Sequence, residues 1–523
     1  MKYFFQRLAG LLLFFFYNLN LSAQQNFLQS NKKELIFSAV KGTASEPETI
    51  SFSATGNEKI SLRIVGEKKE SFKLISSSPK QITAGKKIKL QVVFVPSNNF
   101  IGIANSKLQV INSANKLLNE TDLRGLSLKG LEGENEPSLK TIFEILGYSI
   151  NNGWSTLANN EKPDLQGDEI KAASFQKAGK GKVEIIPLAR FSPDFELPFG
   201  YYTNSTNGPK QYQVGILSKA KERPEHQTLF PSISSGSNSF DPGSSIFGLY
   251  TSGPTHSAYT EDSWNILLFP LNAAHAVRVY PAKNREGNLL ANSYIVCFEE
   301  AKNGDYNDYV FLVKNIRPLA EEREYKTLLN GKNLDGWDIF LTGKGLNNDA
   351  EKNFMVEDGI LHVRGKELGY VRTKQPFTNY HFIVEFKWGE KKWPPRENAK
   401  RDAGVCYNIP DNEPDSIWPK SIECQIQEGD VGDFWLLGFS TITVNDSTNK
   451  PANHTRMVKK TEAEKPSGEW NTVEVISYNG KCIHIVNGEV VNAGEKASVT
   501  KGRLLLQSEY SEVYYRNARI KQL

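Results

Sequence analysis

Cysteine is scarce in this chain of 523 residues: there are four, and none precedes Cys297. Cys297, Cys406, Cys424 and Cys482 fit neither a zinc-ligand spacing nor a small disulfide framework. They read as buried small hydrophobes, with a Cys406–Cys424 bridge as the alternative in an oxidising compartment. Excess charge is also missing. A formal net charge of only +4, with no basic stripe carrying interleaved aromatics, excludes a nucleic-acid partner. Long apolar runs are absent beyond the first stretch, and no later segment reaches the roughly 20 apolar residues that a spanning helix needs.

What is present begins with a leader. Lys2 and Arg7 precede an apolar run from Leu8 to Tyr17, and Leu21-Ser22-Ala23 offers a small residue before Gln24. This is the layout of a signal peptide over residues 1–23, too short to cross a bilayer itself. With no early cysteine to carry a lipid, the mature chain is expected to be free in the periplasm or secreted. The length suggests about three domains, at roughly 150 residues each.

Residues 24–130 alternate like short strands, among them Leu35-Ile36-Phe37, Glu48 to Phe52, Ile60 to Ile64 and Lys89 to Phe94. Gly, Asn, Pro and Ser punctuate them, which predicts an antiparallel sandwich. The order of Leu35-Ile36-Phe37, Gly85, Val93-Phe94-Val95-Pro96 and Leu126 to Gly130 resembles immunoglobulin-like domains of the abnormal-spindle and hydin type. Nothing there has catalytic chemistry, so a spacer, or a module docking a protein or cell-surface partner, is expected.

After the polar stretch Gly133 to Pro137, residues 138–318 open with a short helix, Leu139 to Leu146, and continue as a β-rich domain. Its last hairpin runs through Phe298-Glu299-Glu300 and Gly304-Asp305-Tyr306-Asn307-Asp308. It resembles the closing hairpin of a group of secreted bacterial β domains. Hard oxygen ligands from Glu299, Asp305, Asn307 and Asp308 would suit calcium. A solvated Asp/Asn/Gly turn needs no metal and is the alternative.

Arg317-Pro318 and the charged run Glu321 to Glu324 mark the next boundary, and residues 325–523 form the last domain. Six of the eight tryptophans lie in it, most of them expected in the core and one or two at a groove. Side chains change face at each strand residue. In Ser421 to Glu428, therefore, Ile422, Cys424 and Ile426 point one way while Glu423, Gln425 and Gln427 point the other. In Leu504 to Glu509 the same parity pairs Gln507 with Glu509. Two strands that each present glutamine and glutamate can converge on one polar groove, with the carboxylates that acid–base work on a sugar requires.

The segment Leu329-Asn330-Gly331-Lys332-Asn333-Leu334-Asp335-Gly336-Trp337 resembles the opening of the 3-keto-disaccharide hydrolase domain. Phe354 to Leu361, Gly369 to Thr373, Phe382 to Trp388, Arg401-Asp402-Ala403-Gly404-Val405, the Glu423–Gln425 strand, Gly468 to Asn471, Val486 to Gly488, Leu506 to Glu509 and Tyr515-Arg516-Asn517 follow in the family's order. The resemblance implies a concanavalin-like jelly-roll sandwich with a polar groove. It also implies a hydrolase or lyase acting on glycosides oxidised at carbon 3. That ketone acidifies the proton on carbon 2. A base removes it, an electrophile steadies the enolate, and the aglycone leaves carbon 1. On the family's pattern Glu423 is base or metal ligand, Gln425 binds hydroxyls, and Glu509 is the second acid–base group or ligand, so the groove admits a divalent metal. His454, in the loop with Arg456, is a further catalytic candidate or a surface histidine. Gln507 and Trp418 are candidates for sugar contact. Arg516 is expected on the enolate or in an ion pair with Glu509 or Glu512.

Two positions depart from the family's pattern. Its serine is Ala403 and its histidine is Asn408, taken here as a substrate-binding amide. An amide neither accepts a proton near neutral pH nor ligates transition metals well. The alternative is therefore a binding module that holds glycans without turnover, or a structural surface protein built of three spacers.

Overall fold

The computed structural model describes residues 27–130, 135–153, 165–205, 207–219, 225–269, 274–299 and 304–523. The expected leader, 1–23, and Gly133, Glu134 and Glu300 lie outside the described residues. The chain forms two compact units, Met1–Ser127 and Leu128–Leu523.

In the first unit a four-stranded and a five-stranded antiparallel sheet face each other as an immunoglobulin-like sandwich. Alternation drives it: in Glu34–Val40, Leu35, Phe37 and Ala39 point inward and their neighbours outward. They join Ile50, Phe52, Leu90, Val92 and Phe94 in one core. The Phe94 ring lies over Gly125, where a Cβ would come within 2.4 Å of it.

The second unit contains two sandwiches. Its opening helix, Leu139–Leu146, starts where the Ser138 side chain accepts from the Thr141 amide and stops at Gly147 in the left-handed conformation. The middle sandwich pairs a six-stranded with a five-stranded sheet around Phe199, Phe247, Val296, Phe298 and Phe311. The C-terminal jelly roll pairs an eight-stranded with a nine-stranded antiparallel sheet. Trp337, Trp388, Val405, Ile422, Cys424, Leu504 and Leu506 fill the space between them.

The outer face of the eight-stranded sheet is covered by the middle sandwich. Ile476, Tyr478, Ile483, Ile485 and Leu523 pack against Tyr202, Tyr250, Tyr259, Trp264 and Leu267. Beside this apolar contact, buried Lys521 pairs with both Glu261 and Glu324. Glu324 belongs to the charged run that reads as a boundary in the sequence. His381 bonds Glu474 at 2.6 Å and Ser263 at 3.0 Å, next to a cavity of about 560 Å³. The nine-stranded sheet keeps its outer, concave face away from this contact.

All four cysteines are free and buried. Cys424 faces the core and Cys406 the concave side, so the Cys406–Cys424 bridge does not form. No helix among the described residues is long and apolar enough to cross a membrane.

Candidate functional site

Three neighbouring strands, Gly404–Ile409, Ser421–Gln425 and Lys501–Ser508, build the concave face. Cys406 lies opposite Glu423 on one side and Leu505 on the other. Because Val405, Ile422, Cys424, Leu504 and Leu506 are turned into the core, Glu423, Gln425 and Gln507 are turned out of it. Glu509 follows just beyond the third strand. Glu423 is 5% exposed, Gln507 2% and Glu509 9%, so these polar groups sit in an enclosed site rather than on an open surface.

Gly404 makes room for them. A Cβ there would lie 1.8 Å from Glu423 Oε1 and 2.4 Å from Gln507 Oε1, so two side-chain oxygens meet above a bare backbone. Gln507 Nε2 donates to Cys406 Sγ at 3.3 Å, and its buried Oε1 has no donor in this arrangement. A proton on Glu423 would supply one. Burial, and then the nearby Glu509 and Asp402, push the Glu423 carboxyl well above the ordinary range. Gln425 Oε1 accepts from the Ile426 amide at 3.0 Å, which fixes its rotamer beside Glu423.

Asp402 completes the cluster and is the residue that the sequence reading passed over. It is 4% exposed. Its amide donates to Ser511 Oγ at 3.2 Å. Its Oδ2 accepts from Gln427 Nε2 at 2.7 Å and pairs with Arg396. Burial and the Asp402 charge raise Glu509 to about 7. The signal was present as the acid of Arg401-Asp402-Ala403-Gly404, two residues before the glycine that frees the site.

A strap crosses the sheet beside the carboxyls. Residues 410–420 are tied down by Arg372–Asp415 at 2.8 Å and by Arg503 Nη2 donating to Asp411 O at 2.6 Å. Ile417 thereby packs on the apolar half of the face, Phe340, Tyr370, Leu437 and Leu505. The next residue, Trp418, donates from Nε1 to Glu509 Oε1 at 3.2 Å. His454 meets the Trp418 ring edge-to-face at 5.5 Å. It is exposed and reaches the carboxyls only through that indole.

Two expected site residues lie elsewhere. Asn408 has φ 57° and is fully buried. Its amide donates to Ser477 Oγ at 2.9 Å and accepts from Tyr380 OH at 2.8 Å. A register shift between Cys406 and Ile409 turns it between the sheets, so it is not a substrate-binding amide. Ala403 is likewise inside the core. Arg516 belongs to the opposite sheet, where it pairs with Glu385 at 2.7 Å and covers the Trp470 ring. It pairs with neither Glu509 nor Glu512, and its strand lies in the sheet opposite the one that carries Glu423.

The middle sandwich holds a second cluster. Ligand oxygens of Glu299, Asp305 and Asp308 lie within 4.8 Å of one another. Tyr306 N donates to Glu299 Oε2 at 3.1 Å, and Asn307 Nδ2 to Pro137 O at 3.0 Å. The Asn307 Oδ1 is buried without a donor. Carboxylate oxygens this close, with an orphaned amide oxygen in the same turn, fit a hard cation. Among the described residues this is the trio of acidic groups so arranged, and the concave face has none.

Residues 324–521 match the model of the 3-keto-alpha-glucoside-1,2-lyase-like domain, and the C-terminal jelly roll is a domain of that family. A Parabacteroides distasonis structure named as a glycosyl hydrolase is 22% identical, covering 39% of this chain and 98% of its own, with a TM-score of 0.28. The Bacillus subtilis carbohydrate binding module CBM66 is 6% identical over 36% of this chain and 96% of its own, with a TM-score of 0.25. The human CEP192 PapD-like domain is 13% identical over 20% of this chain and 87% of its own, with a TM-score of 0.16. No curated protein matches the chain.

Proposed function

We propose that this is an exported protein, secreted or periplasmic, whose C-terminal domain cleaves 3-keto-glycosides by removing the carbon-2 proton. The observation that carries the reading is the division of labour among the buried carboxyls. Glu423 is held neutral well above the ordinary range, while Glu509 is raised only to about 7. A neutral acid and a poised base in one enclosed site are what enolate chemistry requires. This reading differs from the family-based expectation, in which Glu423 is base or metal ligand.

In this reading Glu509 takes the carbon-2 proton, sharing it with Asp402. The C–H electron pair forms the carbon 2–carbon 3 double bond, and charge moves to the carbon-3 oxygen. Glu423, backed by Gln507, donates a hydrogen bond to that oxygen. As the ketone re-forms, the electrons make a carbon 1–carbon 2 double bond, the carbon 1–oxygen bond breaks, and the departing oxygen takes the proton back from Glu509. Water adding to the unsaturated product gives net hydrolysis.

A 3-keto-β-glucoside with a chromogenic leaving group tests this. Release should rise with pH through about 7, as Glu509 loses its proton, and fall at higher pH as Glu423 ionises. Glu509→Gln should lose about 10²–10⁴-fold in rate, and Glu423→Gln much less, since its amide still donates. Sugar binding without release in the parent protein would instead favour a glycan-binding module.

For the middle domain, the trio of Glu299, Asp305 and Asp308 supports a calcium ion held by those carboxylates with Asn307 Oδ1. Its role there is to fix the hairpin, apart from the sugar chemistry. The N-terminal sandwich carries no comparable site among its described residues, which suits a spacer or a module for a protein or cell-surface partner.

A further inference from the structure

Trp418 is the exposed member of an otherwise enclosed site. It is 39% exposed, while the Glu509 carboxyl to which its N–H donates is 9% exposed. Three constraints hold it. The N–H is tied to Glu509, the ring meets His454 edge-to-face at an interplanar angle of 87°, and the strap is pinned by Arg372–Asp415 and Arg503–Asp411. An aromatic ring immobilised before ligand arrives loses little freedom on binding.

A second exposed ring stands at the same corner. Leu437 lies between Ser421 and His454. After it the chain turns through Gly438, whose α-carbon faces the Lys420 backbone: a Cβ there would lie 2.8 Å from Lys420 Cα. Phe439 then emerges 60% exposed with φ 64°. Left-handed backbone is costly for a bulky residue, and such conformations collect at functional sites. Aromatic faces stack on the apolar faces of sugar and aryl rings.

We propose that Trp418 and Phe439 form a leaving-group subsite that favours ring-shaped aglycones, pyranose or aryl, over open-chain ones. The proposal rests on the 3-keto-glycoside reading, because it assigns the corner beside Glu509 to the group departing from carbon 1. The strap closes the apolar half of the face, so a ring leaving the carboxyls passes Trp418, the exposed aromatic bonded to Glu509.

Three substrates test it: an aryl 3-keto-β-glucoside, a 3-keto-disaccharide and methyl 3-keto-β-glucoside, with kcat and KM measured separately. Trp418→Ala should lose kcat/KM on all three through the lost bond to Glu509. It should lose about tenfold more on the two ring aglycones, mainly in KM, as expected for about 1.4 kcal/mol of stacking. Trp418→Phe should keep that ring preference without the N–H, and Phe439→Ser should reduce it. A larger loss on one ring substrate identifies whether aryl or pyranose is the better occupant. Equal losses on all three substrates in Trp418→Ala overturn the subsite and leave the reaction standing. An unchanged preference in Phe439→Ser removes Phe439 from it. No release by the parent protein from any substrate overturns the reaction, and the subsite with it.

Discussion

Asn408 has a left-handed backbone, and that single angle decides which side of the sheet its amide serves. Inside the sandwich it bonds Ser477, Tyr380 and the Val499 carbonyl, joining the two sheets at a point where no water reaches. Removing it orphans buried partners, which costs about 1–3 kcal/mol for a lost buried hydrogen-bonding group. Asn408→Ala should therefore lower stability by that order in urea unfolding while leaving kcat and KM for a 3-keto-glucoside unchanged. A fall in kcat with unaltered stability would return Asn408 to the site. The same position shows the reach of alternation. Strict parity puts Asn408 on the face of Cys406, and only the bulge, a three-dimensional event, moves it. Glu423, Gln425 and Gln507 sit on bulge-free stretches, and for them the side chain's face was legible. Asp402 went unread because its importance comes from Arg396, Gln427 and Ser511, which meet it only in the fold.

Elements explain the rest of what the sequence concealed. The strap over residues 410–420 has no periodicity of its own. Its course is set by Arg372 and Arg503 on strands far along the chain, so the pairing that puts Trp418 over Glu509 has no local signal. The acidic hairpin is the opposite case. Glu299, Asp305, Asn307 and Asp308 fall within ten residues, and the paired strands on either side bring three carboxylates together. Calcium bound there would tie the hairpin ends and oppose the burial that raises the Asp305 carboxyl. Calcium at about 100 times its dissociation constant should stabilise the unit by about 2.7 kcal/mol. The rise in melting temperature should disappear with chelator and in Glu299→Gln. No calcium-dependent shift in the parent protein would leave a solvated turn.

At the scale of the molecule, the middle sandwich and the jelly roll share one interface on the side away from the carboxyl cluster. That each is built of strands was legible, because alternation and turn residues are written locally. Their mutual packing was not, because Trp264 and Tyr478 meet across more than two hundred residues at 5.2 Å between ring centroids. Lys521 supplies the charged half of this contact. Burial opposes ionisation of Glu261, but Lys521 outweighs it and holds that carboxyl down at about 2. A carboxyl lowered on folding contributes stability above its unfolded pKa and loses it as pH falls through the folded value. The contact should thus weaken below about pH 4.5, the ordinary glutamate value, and be lost near pH 2. Lys521→Met keeps the packing and leaves Glu261 and Glu324 buried without their cation. Breaking a buried pair in this way costs about 3–5 kcal/mol, so its melting temperature should fall at pH 7. Adding Glu261→Gln and Glu324→Gln to that variant should recover much of the loss, because two neutral amides no longer repel inside the interface. An unaltered melting temperature in Lys521→Met would mean that Trp264, Tyr478 and their apolar neighbours hold the two sandwiches together alone.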